Sequence, residues 1–227
     1  YIAKRFVLES INPKDYLSIE KSVSLYTSKD KAISNCYLEA KLALEGIERF
    51  DYLLSTHEVA WKHLWNFFDI DLNLKHIKKD YFVKRALHLY TYHLLQTASV
   101  HNIDMDVGIP ARGWHGESYR GHILWDERFV FPFFNYRLPQ ITRSLMLYRY
   151  RRLPEARRAA EAYGYKGAMY PWQSGSNGKE ETQTMHLNPR SNRWMEDNTH
   201  LQRHINSAIV YNIWQYYQVS GDSEFLS

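Results

Sequence analysis

From Asp30 onward apolar residues recur every three or four positions, and this period constrains the fold more than any other feature of the chain. Ala32, Cys36, Ala40, Ala43, Leu44 and Ile47 fit one helix, and Leu53, Leu54, His57, Ala60, Trp61, Leu64, Trp65 and Phe68 fit a second. Phe82, Ala86, Leu89, Tyr90, His93, Leu94 and Thr97 share one side of a third, over about 81–99. Further helices are predicted at 139–150, opening with Pro139, and at 154–163, stopping at Gly164. A last one is predicted at 201–219, where Ile205, Ile209, Ile213 and Tyr217 fall in line. Residues 1–27 read differently, because Leu17, Ile19, Val23 and Leu25 alternate loosely with polar residues as in short strands.

Two long sections, about 100–128 and 166–198, lack any period. Loops of that length normally argue against a compact helical assignment. Here they hold most of the Trp, Gly and Pro text, so they read as functional loops at one end of a helical frame.

The first loop carries the densest chemistry. Gly113 to Asp126 contains two tryptophans, a tyrosine, two carboxylates, two histidines, an arginine and three glycines. Indole faces pack against the C–H faces of a sugar ring, while carboxylates, Arg and His fix its hydroxyls. Trp125 beside Asp126 offers both contacts, although Asp126 also reads as a helix cap or a partner of Arg120 and Trp125 equally as core. Glu117 and Glu127 are the local carboxylates for acid or base work, but spacing across a loop fixes no distance, and positioning or loop-locking is the favoured reading. Arg112, Arg120, His115 and His122 supply cations for a phosphate or an anionic sugar.

The second loop runs from Lys166 through Trp172-Gln173 into the small-residue stretch Ser174–Gly178, then Glu180 and Glu181. No Walker or dinucleotide pattern accompanies the glycines. His200 and His204 are four apart but lack the intervening Glu of a zinc hydrolase motif, so no metal site is expected.

The charge of +4 gathers in Arg143, Arg149, Arg151, Arg152, Arg157 and Arg158. Glu155 and Glu161 interrupt that run, which reads as a solvated helix face and not as a nucleic-acid groove. The single Cys36 excludes an internal disulfide. No stretch reaches the roughly 20 apolar residues of a membrane span, and a soluble, cytoplasmic protein is expected. Both ends look cut, which predicts a piece of a longer chain.

Several separated stretches resemble the central catalytic domain of glycoside hydrolase family 65, the maltose, trehalose and kojibiose phosphorylases and related alpha-glucoside hydrolases. They are Gly108-Ile-Pro-Ala-Arg-Gly113, Glu117-Ser-Tyr-Arg-Gly-His122 with Trp125-Asp126, Lys166-Gly-Ala-Met-Tyr-Pro-Trp-Gln-Ser174, and His204-Ile-Asn206 through Trp214-Gln-Tyr-Tyr217 to Gly221-Asp222. They occur in the family's order over about 30–227.

The resemblance implies a mainly α chain: a partial (α/α)6 barrel at 51–227, preceded by the tail of an N-terminal β-sandwich at 1–29 and a helical linker at 30–50. It implies an inverting enzyme that cleaves an alpha-linked glucose disaccharide, either with water or with inorganic phosphate as co-substrate, and needs no cofactor. Trp125 and Asp126 match the pair that grips the glucose, and Trp172 and Gln173 match a loop that usually reads Trp-Glu. Arg120, Glu117, Lys166 and His204 complete the expected substrate-binding set. The family's general acid belongs to a Gly-Pro-Asp-Glu motif absent from these residues, so no catalytic residue is expected before Ser227 and this stretch alone is expected to be inactive. The resemblance also implies homodimers of the full-length protein. A non-catalytic carbohydrate-binding or scaffold role is the competing expectation.

Overall fold

The computed structural model describes residues 16–70, 80–113 and 118–226, with Asn12, Lys14, Leu72 and Gly116. It divides into two compact units, one comprising residues 1–28 and 32–63 and the other residues 29–31 and 64–227.

In the first unit the described residues form none of the expected strands. Residues 16–26 are extended but unpaired, with Val23 and Leu25 largely exposed. A strand is held by backbone bonds to a neighbour, and the described residues of this segment have none. α1 (Cys36–Glu45) begins later than its period predicts. Ala32 is left-handed at φ 65°, which breaks the helical path, and Asn35 then caps the helix by accepting from the Leu38 amide at 3.0 Å. α2 (Phe50–Phe68), of which residues 64–68 belong to the second unit, follows the predicted second period.

The second unit holds α3 (Asp80–Thr97), α4 (Glu127–Asn135), α5 (Pro139–Arg151), α6 (Leu153–Ala162), a two-stranded antiparallel hairpin of β1 (Met185–Asn188) and β2 (Arg193–Glu196), and α7 (Ile205–Ser220). α4 packs against α7 and α5, and α5 also touches α6 and α7. Buried Phe131 and Phe134 of α4, Ile141, Leu145 and Met146 of α5, and Ile205, Ala208 and Ile209 of α7 form this core. α7 ends at Gly221, left-handed at φ 66°. Behind it Asp222 accepts from Tyr216 Oη at 2.8 Å and Arg143 Nε at 3.0 Å.

The structure corrects three expectations. α4 is not legible as a helix in the sequence, because Pro132 sits inside it and the run Phe129 to Phe134 masks any period. The hairpin lies within text that reads as irregular; its strands are only four residues long, β1 alternates between exposed and partly exposed positions without burying a face, and β2 is exposed throughout. The arginine run is only in part a solvated face: Arg151, Arg157 and Arg158 are exposed as expected, but Arg149 and Arg152 are buried and ion-paired. The chain is mostly helical as expected, but the described residues close no barrel and form no β-sandwich.

Candidate functional site

α5 is the post to which both rich loops are fastened. Arg149 Nη2 donates to the Leu124 carbonyl at 2.8 Å, immediately before Trp125. Tyr148 Oη donates to Ser174 Oγ at 2.8 Å. Arg152 donates to Asp106 at 2.9 and 3.2 Å and to the Ser176 carbonyl at 3.0 and 2.7 Å, while lying 3.6 Å over the Tyr148 ring. Burial works against the Asp106 charge, but the bonds from Arg152 and Arg151 outweigh it and hold its carboxyl below the usual range. Ile123 and Ser174 exchange two backbone bonds, of 3.1 and 2.9 Å. The segment entering Trp125-Asp126 therefore runs beside the segment leaving Trp172-Gln173.

The turn that closes the second loop tolerates no side chain. Gly178 is left-handed at φ 80°, and a Cβ there would lie 2.8 Å from Arg152 Cβ. Arg152 is too firmly bonded to yield, so Gly178→Ala is expected to destabilise the protein by about 1–3 kcal/mol. A shift of the denaturant midpoint measures this, and an unchanged midpoint would contradict the packing described.

This fastening gathers three rings. The centroid of Trp125 lies 6.3 Å from Trp172 and 4.9 Å from His204, edge to face, and Trp172 lies 5.0 Å from His204. Phe129 of α4 meets Trp125 from another side at 5.5 Å. Both indoles remain partly accessible and His204 is exposed, so this is an aromatic wall with open faces rather than a sealed core. His204 occupies the N-cap position of α7 without bonding the helix through its side chain.

Asp126 sits beside this wall, half-buried. It occupies the N-cap position of α4, yet its side chain makes no cap bond, and Arg120 donates instead to the Glu181 carbonyl at 3.4 Å. Both structural roles open to Asp126 in the sequence are thus unused. Burial pushes its carboxyl above the usual range, with its own backbone amide and, less, the positive charge of Arg112 offsetting part of the effect. A carboxylate kept partly from water without a cation bonded to it has acceptor sites left for hydroxyl groups beyond the one its own amide engages.

Glu127, the next residue, faces elsewhere. It is fully buried, with Arg149 Nε donating to its Oε2 at 3.1 Å. Burial raises its pKa and the Arg149 charge opposes that shift. Glu127 and Arg149 line a mostly apolar cavity of about 690 Å³ that none of Trp125, Asp126, Trp172 or His204 lines. Its position is that of an internal lock.

The remaining expected residues are scattered. Gln173 follows Trp172 directly, and its amide donates to Glu180 Oε1 at 3.1 Å. Arg120 reaches the second loop but lines a separate cavity of about 440 Å³ with His122, Tyr148 and Ser174. Lys166 is exposed and forms no ion pair among the described residues. Glu117, like Trp114 and His115, lies outside the described residues. Among the described residues no group of His, Cys, Asp and Glu is placed to hold a metal ion, and no helix is long and apolar enough to cross a membrane.

Two residues close to the wall carry no signal of their role in the sequence. Glu180 bonds the backbone of Trp172 and Gln173. Asn206, at the start of α7, accepts from the Tyr170 amide at 2.9 Å and donates to the Arg203 carbonyl at 2.9 Å, tying the loop to the His204 turn. Neither follows a recognisable spacing, because each acts on backbone groups that every sequence has.

A protein of Mycobacterium tuberculosis described as an uncharacterized glycosyl hydrolase is 46% identical over 212 residues, which is 92% of this chain and 15% of that protein. The kojibiose phosphorylase of Halothermothrix orenii is 35% identical over 95% of this chain and 28% of its own length. The trehalose 6-phosphate phosphorylase of Lactococcus lactis is 41% identical over 74% of this chain and 21% of its own. The chain thus spans between about a seventh and under a third of these relatives. A solved human-microbiome structure, a candidate kojibiose phosphorylase, shares the fold with a TM-score of 0.65 at 23% identity, over 84% of this chain and 24% of that one. The model of the glycosyl hydrolase family 65 central catalytic domain matches residues 87–227, from within α3 through both loops and past α7, and the chain belongs to that family.

Proposed function

We propose that this chain supplies the glucose-binding wall of an enzyme that cleaves an α-linked glucoside by phosphorolysis, releasing glucose 1-phosphate with inversion. The observation that carries the reading is the gathering of Trp125, Trp172 and His204 beside a half-buried Asp126 whose carboxylate caps nothing. In this reading the glucosyl ring lies against the indoles, Asp126 accepts from its hydroxyls, and Gln173 faces the second sugar. Phosphate attacks C1 from the face opposite the bond that breaks, and the glycosidic oxygen takes a proton from an acid outside these 227 residues. The helices of the second unit would form the first part of an (α/α)6 barrel.

Phosphorolysis is favoured over hydrolysis because relatives named for a defined reaction are phosphorylases, including those for kojibiose and nigerose. The test is to incubate the full-length protein with kojibiose, nigerose, trehalose and trehalose 6-phosphate, with and without inorganic phosphate. Glucose 1-phosphate that appears only with phosphate is the expected result. Cleavage at the same rate without phosphate would assign a hydrolase instead.

A further inference from the structure

We infer that Glu180 is a positioning residue for the sugar-facing wall, acting through Trp172; the inference rests on the placement of Trp172 in the glucoside site. One Glu180 carboxylate gathers four donors from its own loop. Its Oε2 accepts from the Trp172 amide at 2.7 Å, and its Oε1 accepts from the Gln173 amide at 3.1 Å, the Thr182 amide at 3.2 Å and Thr182 Oγ1 at 2.6 Å.

Two consecutive amides aimed at one anion form a concave backbone nest, an arrangement that recognises carboxylates and phosphates. Here the chain fills its own nest. Bonds to a charged acceptor are shorter and stronger than neutral ones, so the peptide planes on both sides of the Trp172 Cα are held, and with them the direction in which the indole leaves the backbone. Gly175 and Gly178 between the two ends permit the chain to fold back, and the Glu181 amide closes the ladder on the Gln173 carbonyl at 3.0 Å. The indole held this way meets His204 at 5.0 Å and Trp125 at 6.3 Å.

Glu180→Gln is the direct probe, because it keeps the size but turns one acceptor oxygen into an NH2 group that opposes an amide donor. D-glucose titrated into the full-length protein is expected to bind about 10-fold more weakly in this variant. The near-ultraviolet circular dichroism of the indoles should change while the far-ultraviolet spectrum does not. In a Trp172→Ala background the same substitution should have no further effect on binding, since coupled residues fail to add. Thr182→Ala, which removes a single donor, should give a smaller version of the same response and serves if Glu180→Gln does not fold.

An equal loss of affinity with and without Trp172 would overturn the inference, as would a lowered unfolding temperature with unchanged glucose affinity. If Trp172→Ala weakens glucose binding and Glu180→Gln does not, the role of Glu180 alone is wrong. If Trp172→Ala is itself silent, the placement of Trp172 in the site falls, and the role of Glu180 falls with it.

Discussion

Arg149→Met is expected to lower stability by about 3–5 kcal/mol, the usual cost of leaving a buried charge without its partner. Arg149 and Glu127 are each almost wholly buried, and the pair is closed by one bond of 3.1 Å. Glu127 Oε1 already has no partner, so little compensation is at hand when the guanidinium leaves. The loss should appear as a fall in the unfolding temperature of about 10 °C for a domain of this size.

The pH dependence gives a second reading. Burial raises the Glu127 pKa in the folded state, and removing Arg149 removes the charge that opposes this rise. A carboxyl with a raised folded pKa favours the folded state at low pH, and that advantage is lost as pH rises through the folded value. The variant's deficit should therefore widen toward neutral pH and shrink in acid. Adding Glu127→Gln should recover part of the loss and flatten the dependence. An Arg149→Met protein that melts with the wild type would mean that the pair contributes no net stability. Because Arg149 also holds the Leu124 carbonyl at 2.8 Å, weakened glucose binding should accompany the loss.

The same residues show how far the sequence can be read. Helices α2, α3, α5, α6 and α7 are legible from the three- and four-residue spacing of their apolar residues; α5, α6 and α7 bury such a stripe, whereas Leu53 and Leu54 of α2 and Phe82, Leu89 and Tyr90 of α3 are exposed. α4 buries Phe131 and Phe134 from within an aromatic run broken by Pro132, and its period is hidden. The strand-like alternation of 16–26 is present in the text without a pairing partner among the described residues, since alternation reports a possible face and not a ladder. At the site, Trp125, Trp172 and His204 are legible as residue types suited to a sugar, and their convergence is not. It depends on Tyr148, Arg149 and Arg152 of α5 and the turn after it, which bond the loops mainly through carbonyls and leave no pattern in the loops themselves. The arginine cluster that reads as a surface feature is in part the internal fastening of the site.

Asp126→Asn is expected to weaken glucose binding to the full-length protein by about 10- to 100-fold, the range for losing a hydrogen bond to a charged group. The substitution keeps the shape and one acceptor, so the loss isolates the charge. Stability should move the other way. Burial raises the folded pKa of Asp126, which means that its ionised form is disfavoured in the folded protein at neutral pH. Such a carboxyl adds to stability only when protonated, below its unfolded pKa, and this contribution is lost as pH rises through the folded value. Replacing it by a neutral amide at pH 7 should leave the unfolding temperature unchanged or slightly higher. The wild type should also lose glucose affinity as pH falls through the raised pKa, where the acceptor is neutralised, and the Asn variant should show no such step. A residue that served as a helix cap would give the opposite pair of results, lower stability and unchanged affinity, because the cap bond and not the sugar would be lost. Titrating glucose and recording thermal unfolding on the same two proteins across about pH 4 to 8 separates the alternatives, with that pH window set by the ordinary carboxylate range and the upward direction of the shift.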